Sequence, residues 1–197
     1  LLLWTLASIA WSPSAGEPVR EAERLLVYVA AALAAPLIVR RGGAAALLGG
    51  LLAGISAVSA YALATRLFPG QVASFDPYSG YRLATPLGYW NGLGIFAAMG
   101  LLLAVGLAAR AERPWARAAS LAVTVPLACT LYFTFSRGAW IALAAGLAIG
   151  VVVDPRRLQL VTVVLLALLA CAPVVWAASR ARALTHQGAA LGEAARQ

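Results

Sequence analysis

Two arginines stand in surroundings that suit the binding of an anion. Arg82 lies in Tyr78-Ser79-Gly80-Tyr81-Arg82-Leu83-Ala84-Thr85-Pro86-Leu87-Gly88-Tyr89-Trp90-Asn91-Gly92, a polar and aromatic stretch that leads straight into an apolar run and puts Asn91 in its first turn. Arg137 lies in Phe133-Thr134-Phe135-Ser136-Arg137-Gly138-Ala139-Trp140, between two apolar runs separated by a turn almost too short to leave a membrane. A guanidinium stays charged, is weakly hydrated and makes bidentate bonds to phosphate oxygens. Gly138 lets a ligand come close to the backbone, and Ser136 adds a hydroxyl. Two such arginines on one face suit a lipid-linked diphosphate whose tail stays in the bilayer. In glycosyl transfer from that lipid the diphosphate is the leaving group, and arginine clamps stabilise the charge developing on it. The plainer reading makes both residues interfacial anchors among aromatics, their long side chains reaching for water.

Most other reactive constellations are missing from the sequence. The seven acids, Glu17, Glu21, Glu23, Asp76, Glu112, Asp154 and Glu193, fall in loops or tails, and none sits at the centre of an apolar run. Ion- and proton-coupled transporters place ionisable groups near the bilayer midplane, so this pattern weighs against a pump. Cys129 and Cys171 each lie within an apolar run without a CxxC spacing, and read as small buried hydrophobes. His186 is the single histidine, in a polar tail, and one histidine makes no metal site. The sequence contains no phosphate-cradling glycine loop and no nucleophile elbow. No metal and no cofactor is expected.

The elements that must hold these arginines follow from composition. Of 197 residues, 62% are hydrophobic and 11% charged, and mean hydropathy is +0.86. A soluble domain is about 45–50% apolar and about 25% charged, so there is too little polar surface here to coat a water-soluble fold. The sequence predicts an all-α, polytopic transmembrane helix bundle. After a half-span over 1–10, six spans are expected at 25–39, 44–68, 90–109, 118–135, 138–153 and 158–178, a transmembrane region over 1–178 followed by the start of an exterior loop over 179–197. The first and fifth are short and could borrow a turn from their flanks. Pro36, Pro126 and Pro173 are expected to kink their spans. The stretch 17–24 reads as an interfacial turn that starts the first full span. Gly50/Gly54, Gly88/Gly92 and Gly146/Gly150 have the spacing of close helix approach, in a chain rich in glycine and alanine throughout.

Charge placement sets the orientation. The net charge is +8, and every basic residue is Arg. These sit singly or in short clusters at the ends of apolar runs, the flanking pattern of membrane helices, which excludes nucleic acid as partner. Arg40, Arg41, Arg110, Arg113, Arg117, Arg156 and Arg157 fall on alternate connections, hence on one side; Arg66, Arg82 and Arg137 fall on the other. The richer side is expected to be cytoplasmic. The chain opens on Leu1-Leu2-Leu3 with no basic segment before it, and reads as a piece of a longer protein.

With these segments in place, the chain resembles the O-antigen ligase and O-antigen polymerase family of bacterial membrane glycosyltransferases. The likeness begins at Trp11-Ser12-Pro13, followed by a Glu/Arg-rich approach to a span ending Leu25-Leu26-Val27-Tyr28. It continues through Arg82-Leu83 and Pro86-Leu87-Gly88-Tyr89-Trp90-Asn91. It peaks at Thr134-Phe135-Ser136-Arg137-Gly138-Ala139-Trp140, which looks like the family's Ser-Arg-Gly turn. The resemblance implies a larger GT-C-like bundle of about ten to twelve helices, of which this chain is a fragment. It implies transfer or polymerisation of a glycan from an undecaprenyl diphosphate carrier to a lipid or glycan acceptor on the outer face of the bacterial plasma (inner) membrane. Ligases attach the glycan to the lipid A–core of lipopolysaccharide, and polymerases join repeat units. Arg137 and Arg82 would hold the carrier's diphosphate, with Ser136 and Asn91 as further candidates. The family's catalytic His would lie in an exterior loop beginning near Ser179, beyond the end of this chain; that role is not carried to His186, and the fragment alone is expected to be inactive. Tyr89-Trp90-Asn91 departs from the commoner Asn-Pro-Asn form.

Two other readings use the same residues. A transporter or flippase subunit for lipid-linked sugars would use the arginines as a binding funnel without chemistry. A non-catalytic scaffold would use them as anchors, and predicts that Arg137→Lys is silent.

Overall fold

A computed structural model of the chain describes residues 2–8, 11, 16–40, 43–68, 71–72 and 82–180. Among these the regular structure is all α: α1 (Leu2–Ala7), α2 (Gly16–Arg40), α3 (Ala44–Leu67), α4 (Trp90–Arg110), α5 (Pro114–Ala122), α6 (Thr124–Thr134), α7 (Arg137–Val153) and α8 (Arg157–Arg180). The segments Pro18–Arg40, Ala44–Leu67, Trp90–Arg110, Pro114–Thr134 and Arg157–Arg180 are long and apolar enough to cross a membrane. This is the all-α, multi-pass architecture the composition demands.

The fifth expected span is shorter than the other five. α7 has 17 residues and covers about 25 Å at 1.5 Å per residue, less than the roughly 30 Å of a hydrocarbon core. It cannot borrow a turn, because both ends are fixed locally. Ser136 caps its start, and Asp154 is extended with ψ 121°, as the residue before Pro155 must be. α2, in contrast, does lengthen: residues 17–24 start it and form its first two turns, with Arg24 and Glu21 paired at 3.1 Å.

The prolines act unequally. Pro36 and Pro173 lie inside continuous helices, whereas Pro126 accompanies a break at Val123 that separates α5 from α6. Pro126 has no N–H for the Ala122 carbonyl and its ring crowds that oxygen, so the helix is interrupted there although Val123 still bonds Ala119 O at 3.1 Å and takes Leu127 N–H at 3.3 Å. Hydroxyls bond carbonyls beside the interruption: Thr124 donates to Leu121 O at 2.6 Å and Thr130 to Pro126 O at 2.9 Å.

The chain forms two compact units, Leu1–Gly49 and Gly50–Gln197. In the first, α1 packs beside α2 and the Trp4 and Trp11 rings lie 5.7 Å apart. In the second, α4 packs against α5, α6, α7 and α8. Three apolar clusters succeed one another along α4. The first gathers Leu93 with Ala62, Leu63, Leu83, Cys129 and Phe133. The middle one joins Ala97, Leu101 and Ala104 to Ile55, Leu127, Leu131 and Leu143. The last holds Val105, Ala108 and Ala109 against Leu160, Val163 and Ala167. Cys129 and Cys171 are buried and unbridged.

Of the expected glycine contacts, Gly146 is a true close approach: a Cβ there would lie 2.7 Å from Leu102 Cδ1. Gly50 and Gly54 would meet nothing within 4 Å, and Gly88 is not helical but turns the chain before α4 with φ +71°.

Candidate functional site

The turn carrying Arg137 is built from two residues. Phe135 ends α6 in the left-handed region, φ 51°, with its N–H bonded to Tyr132 O at 3.0 Å. Ser136 then begins α7: its Oγ accepts from Ala139 N–H at 3.3 Å, and its own N–H donates to Thr134 Oγ1 at 3.3 Å. Ser136 is 3% exposed, and its Oγ caps the helix. Arg137, the first helical residue, is exposed, as is Gly138, where an added Cβ would meet nothing within 4 Å. The helix N-terminus lends partial positive charge to the same place.

α4 braces this turn. A Cβ at Gly94 would lie 2.9 Å from Thr134 Oγ1 and 3.0 Å from both Ala139 Cβ and Ser136 Cβ. Only a glycine lets the first turns of α4 touch the α6–α7 junction this closely. The sequence carries no local sign of it, because the contact joins three segments.

The segment leading into α4 reaches the same junction. Leu83 and Ala84 are buried, and Leu83 N–H donates to Phe133 O at 2.9 Å. A helix leaves its last carbonyls without intrahelical donors, and Leu83 satisfies one of them. Arg82 is thereby fixed beside the last turn of α6, its guanidinium carbon 4.9 Å from the Trp90 ring centroid. Asn91 lies in the first turn of α4, and its Nδ2 donates to Tyr89 OH at 2.9 Å. Arg82, Asn91, Ser136 and Arg137 therefore share one end of the second unit.

Arg66, which sequence reading used only for orientation, belongs to the same end. It closes α3 with its guanidinium carbon 4.7 Å from the Phe133 ring centroid. Arg180 ends α8, 4.9 Å over Trp176, shortly after Val175 and Ala178 pack on the Leu83–Phe133 cluster. At the opposite end of the unit, arginines meet polar partners. Arg110 donates to Asp154 Oδ1 at 2.6 Å, and Arg117 Nε to Ala108 O at 3.2 Å. Gln159 caps Ala109 O at 2.7 Å. The Arg110 hydrogen bond, with help from the Arg156 N–H, holds the Asp154 carboxyl below the usual carboxylate range. Among the described residues of the second unit the carboxylates are Glu112 and Asp154, both at this far end.

No group of three or more His, Cys, Asp or Glu among the described residues is placed to hold a metal ion. Tyr78–Tyr81, Asp76, Ser12, Pro13 and His186 lie outside the described residues. Compared with protein-family models, curated proteins and solved structures, the chain matches none.

Proposed function

We propose that this chain is part of a membrane glycosyltransferase of the O-antigen ligase/polymerase kind, which takes a glycan from an undecaprenyl diphosphate carrier at the outer face of the bacterial plasma membrane. The observation that carries the proposal is the Leu83 N–H to Phe133 O hydrogen bond. It brings the Arg82 segment onto the helix that ends at the Ser136–Arg137 turn, so that two arginines 55 positions apart serve one end of the bundle. The resemblance of both segments to that family's motifs supports the same reading. The side bearing Arg110, Arg113, Arg117, Arg156 and Arg157 is then cytoplasmic.

In the proposed reaction an acceptor hydroxyl attacks the anomeric carbon of the carrier-linked glycan. The bond from that carbon to the diphosphate oxygen breaks, and the diphosphate leaves with the electron pair. Arg137 and Arg82 stabilise the charge it acquires. Ser136 and Asn91 act as positioning residues, the first by capping α7, the second by tying Tyr89 to the first turn of α4. The acceptor's proton passes to a base, for which the resemblance implies a histidine beyond Ser179.

The test is transfer in cells that depend on the complete protein. Arg137→Ala and Arg137→Lys each abolish transfer while membrane insertion and helix content stay intact. Normal transfer by both variants overturns the assignment. Loss of lipid-linked donor translocation, with transfer unaffected once donor is supplied outside, points instead to a transporter.

A further inference from the structure

The α7–α8 hairpin leaves a groove of about 400 Å³, lined on α7 by Leu147, Ala148 and Val151 and on α8 by Val161, Val164 and Leu165. That volume lies in the range of small-molecule sites, roughly 300–1,000 Å³. The inner wall belongs to the bundle: Leu147, Val151 and Val164 pack on the cluster that joins α4 to α8. The rim does not, since Val152 is 82% exposed and Leu165 61%. Beside α8, which is long and apolar enough to cross a membrane, such a rim meets hydrocarbon.

The groove begins one turn from the end of the hairpin. Arg157, the first residue of α8, stands four, seven and eight positions before Val161, Val164 and Leu165, which puts all four on one helix face. Arg157 is exposed, as is Arg156 beside it. The carboxylate of the turn is already engaged: Asp154 Oδ1 takes Arg110 at 2.6 Å and the Arg156 N–H at 2.7 Å. Gln159 fixes the start of α8 by donating to Ala109 O at 2.7 Å, so Arg157 stands on an anchored turn. From Arg157 to Leu165 the helix rises about 12 Å at 1.5 Å per residue. One leaflet of a bilayer contributes about 15 Å of hydrocarbon.

We propose that this groove seats an acyl chain of one anionic phospholipid, from the leaflet that meets the α7–α8 turn, with Arg157 holding the lipid's phosphate. An apolar groove nearly as deep as a leaflet, headed by a guanidinium, has the layout of that molecule. Left empty, its lining would forfeit the dispersion contacts that a chain supplies. Charge selects the headgroup. The end that carries the turn holds Arg110, Arg113, Arg117, Arg156 and Arg157 against Glu112 and Asp154, so a net negative headgroup is drawn there and a zwitterionic one is not. A guanidinium makes paired bonds to phosphate oxygens, which fixes the headgroup as well as attracting it. The groove lies at the end opposite Arg82 and Arg137, and its occupancy does not depend on what those residues bind.

The experiment places the full chain in nanodiscs of equal parts phosphatidylglycerol and phosphatidylcholine and reads the retained lipid by native mass spectrometry. Wild type keeps phosphatidylglycerol over phosphatidylcholine by about fivefold or more, the worth of one arginine near a lipid surface. Arg157→Gln brings the two lipids to within about twofold of each other. Arg40→Gln, which removes the same charge from the exposed end of α2, leaves the wild-type preference. Arg157→Lys keeps the charge without the planar fork and gives an intermediate preference. Ala148→Phe fills the groove from its exposed wall, and retention of both lipids falls. Circular dichroism establishes that each variant keeps its helices, and should Ala148→Phe lose them, Ala148→Leu takes its place. Equal retention of the two lipids by wild type overturns the proposal. Loss of preference in Arg40→Gln as large as in Arg157→Gln also overturns it, in favour of a general attraction to basic surface. Phosphatidylglycerol held as well by folded Ala148 variants as by wild type shows that the chain is not seated in the groove. A wild-type dimer that carries no lipid and that Ala148→Phe dissociates assigns the groove to a second copy instead.

Discussion

Replacing Gly94 by alanine tests whether presentation of Arg137 depends on the approach of α4. The added Cβ would lie 2.9 Å from Thr134 Oγ1 and 3.0 Å from the Cβ atoms of Ser136 and Ala139. Two of those atoms move only with their backbone. The third belongs to a short β-branched side chain whose hydroxyl is bonded to Leu131 O at 2.7 Å. The junction therefore has little slack, in contrast to Gly146, whose added Cβ would meet the flexible end of Leu102. Overpacking a tight site costs about 1–3 kcal/mol, while Gly→Ala within a helix gains up to about 1 kcal/mol. Gly106 lies in the same helix with nothing within 4 Å of an added Cβ, so Gly106→Ala collects only the gain. Gly94→Ala is thus expected to be less stable than Gly106→Ala by about 1–3 kcal/mol.

Thermal unfolding in detergent, followed by circular dichroism, reads this difference as a lower midpoint for the Gly94 variant. Farnesyl diphosphate binding reads the second consequence, because a shifted turn misplaces Arg137: affinity falls in Gly94→Ala and stays at the wild-type level in Gly106→Ala. A Gly94 variant that melts at or above the Gly106 variant and binds normally would show that α4 does not hold the turn.

Two further outcomes concern the local chemistry of helix ends. Ser136→Ala deletes the cap of α7 and is expected to cost about 1 kcal/mol, whereas Ser136→Asp retains an acceptor for the Ala139 N–H; equal unfolding midpoints for the two variants would deny the capping role. At the other end, Asp154 has a lowered pKa because of Arg110 first and the Arg156 N–H second. A carboxylate depressed in the folded state gives stability that is complete above its unfolded value, about 3.9, and disappears as pH drops through the lowered folded value. Melting midpoints measured against pH should therefore fall on the acid side in wild type, with part of that dependence absent in Asp154→Asn.

The limits of sequence reading here follow from what is local. Span positions were legible because apolar runs and their arginine borders are contiguous, and the starts expected at 90, 44 and 158 fall within a residue of the observed helices. Pro126 announced an interruption, but its place at Val123 depends on which carbonyl the ring crowds four residues earlier. The brevity of α7 was written in Ser136 and in Asp154-Pro155, residues that stop a helix from either end. Gly94 and Arg66 are different. Nothing near Gly94 in sequence distinguishes it from Gly92 or Gly106, and its importance comes from Thr134, Ser136 and Ala139. Arg66 reads as an ordinary interfacial arginine until Phe133, 67 positions later, is found beneath it. What decides the character of this end is pairing between distant segments.

The use of arginine at the two ends of the second unit then becomes an argument about function. Around Asp154, arginine does the work any helix end asks of it, neutralising a carboxylate and covering the last carbonyls of α4. Around Phe133 it lies on aromatic rings, Arg66 on Phe133, Arg82 on Trp90 and Arg180 on Trp176. A ring orients a guanidinium without cancelling its charge. With the orientation the arginine count favours, these residues also stand on the side where membrane proteins are ordinarily poor in them. Arginine held on aromatic faces on the unfavoured side of a membrane is costly to assemble. Under the proposed function, an anion with a lipid tail, arriving laterally at that depth, would offset the cost.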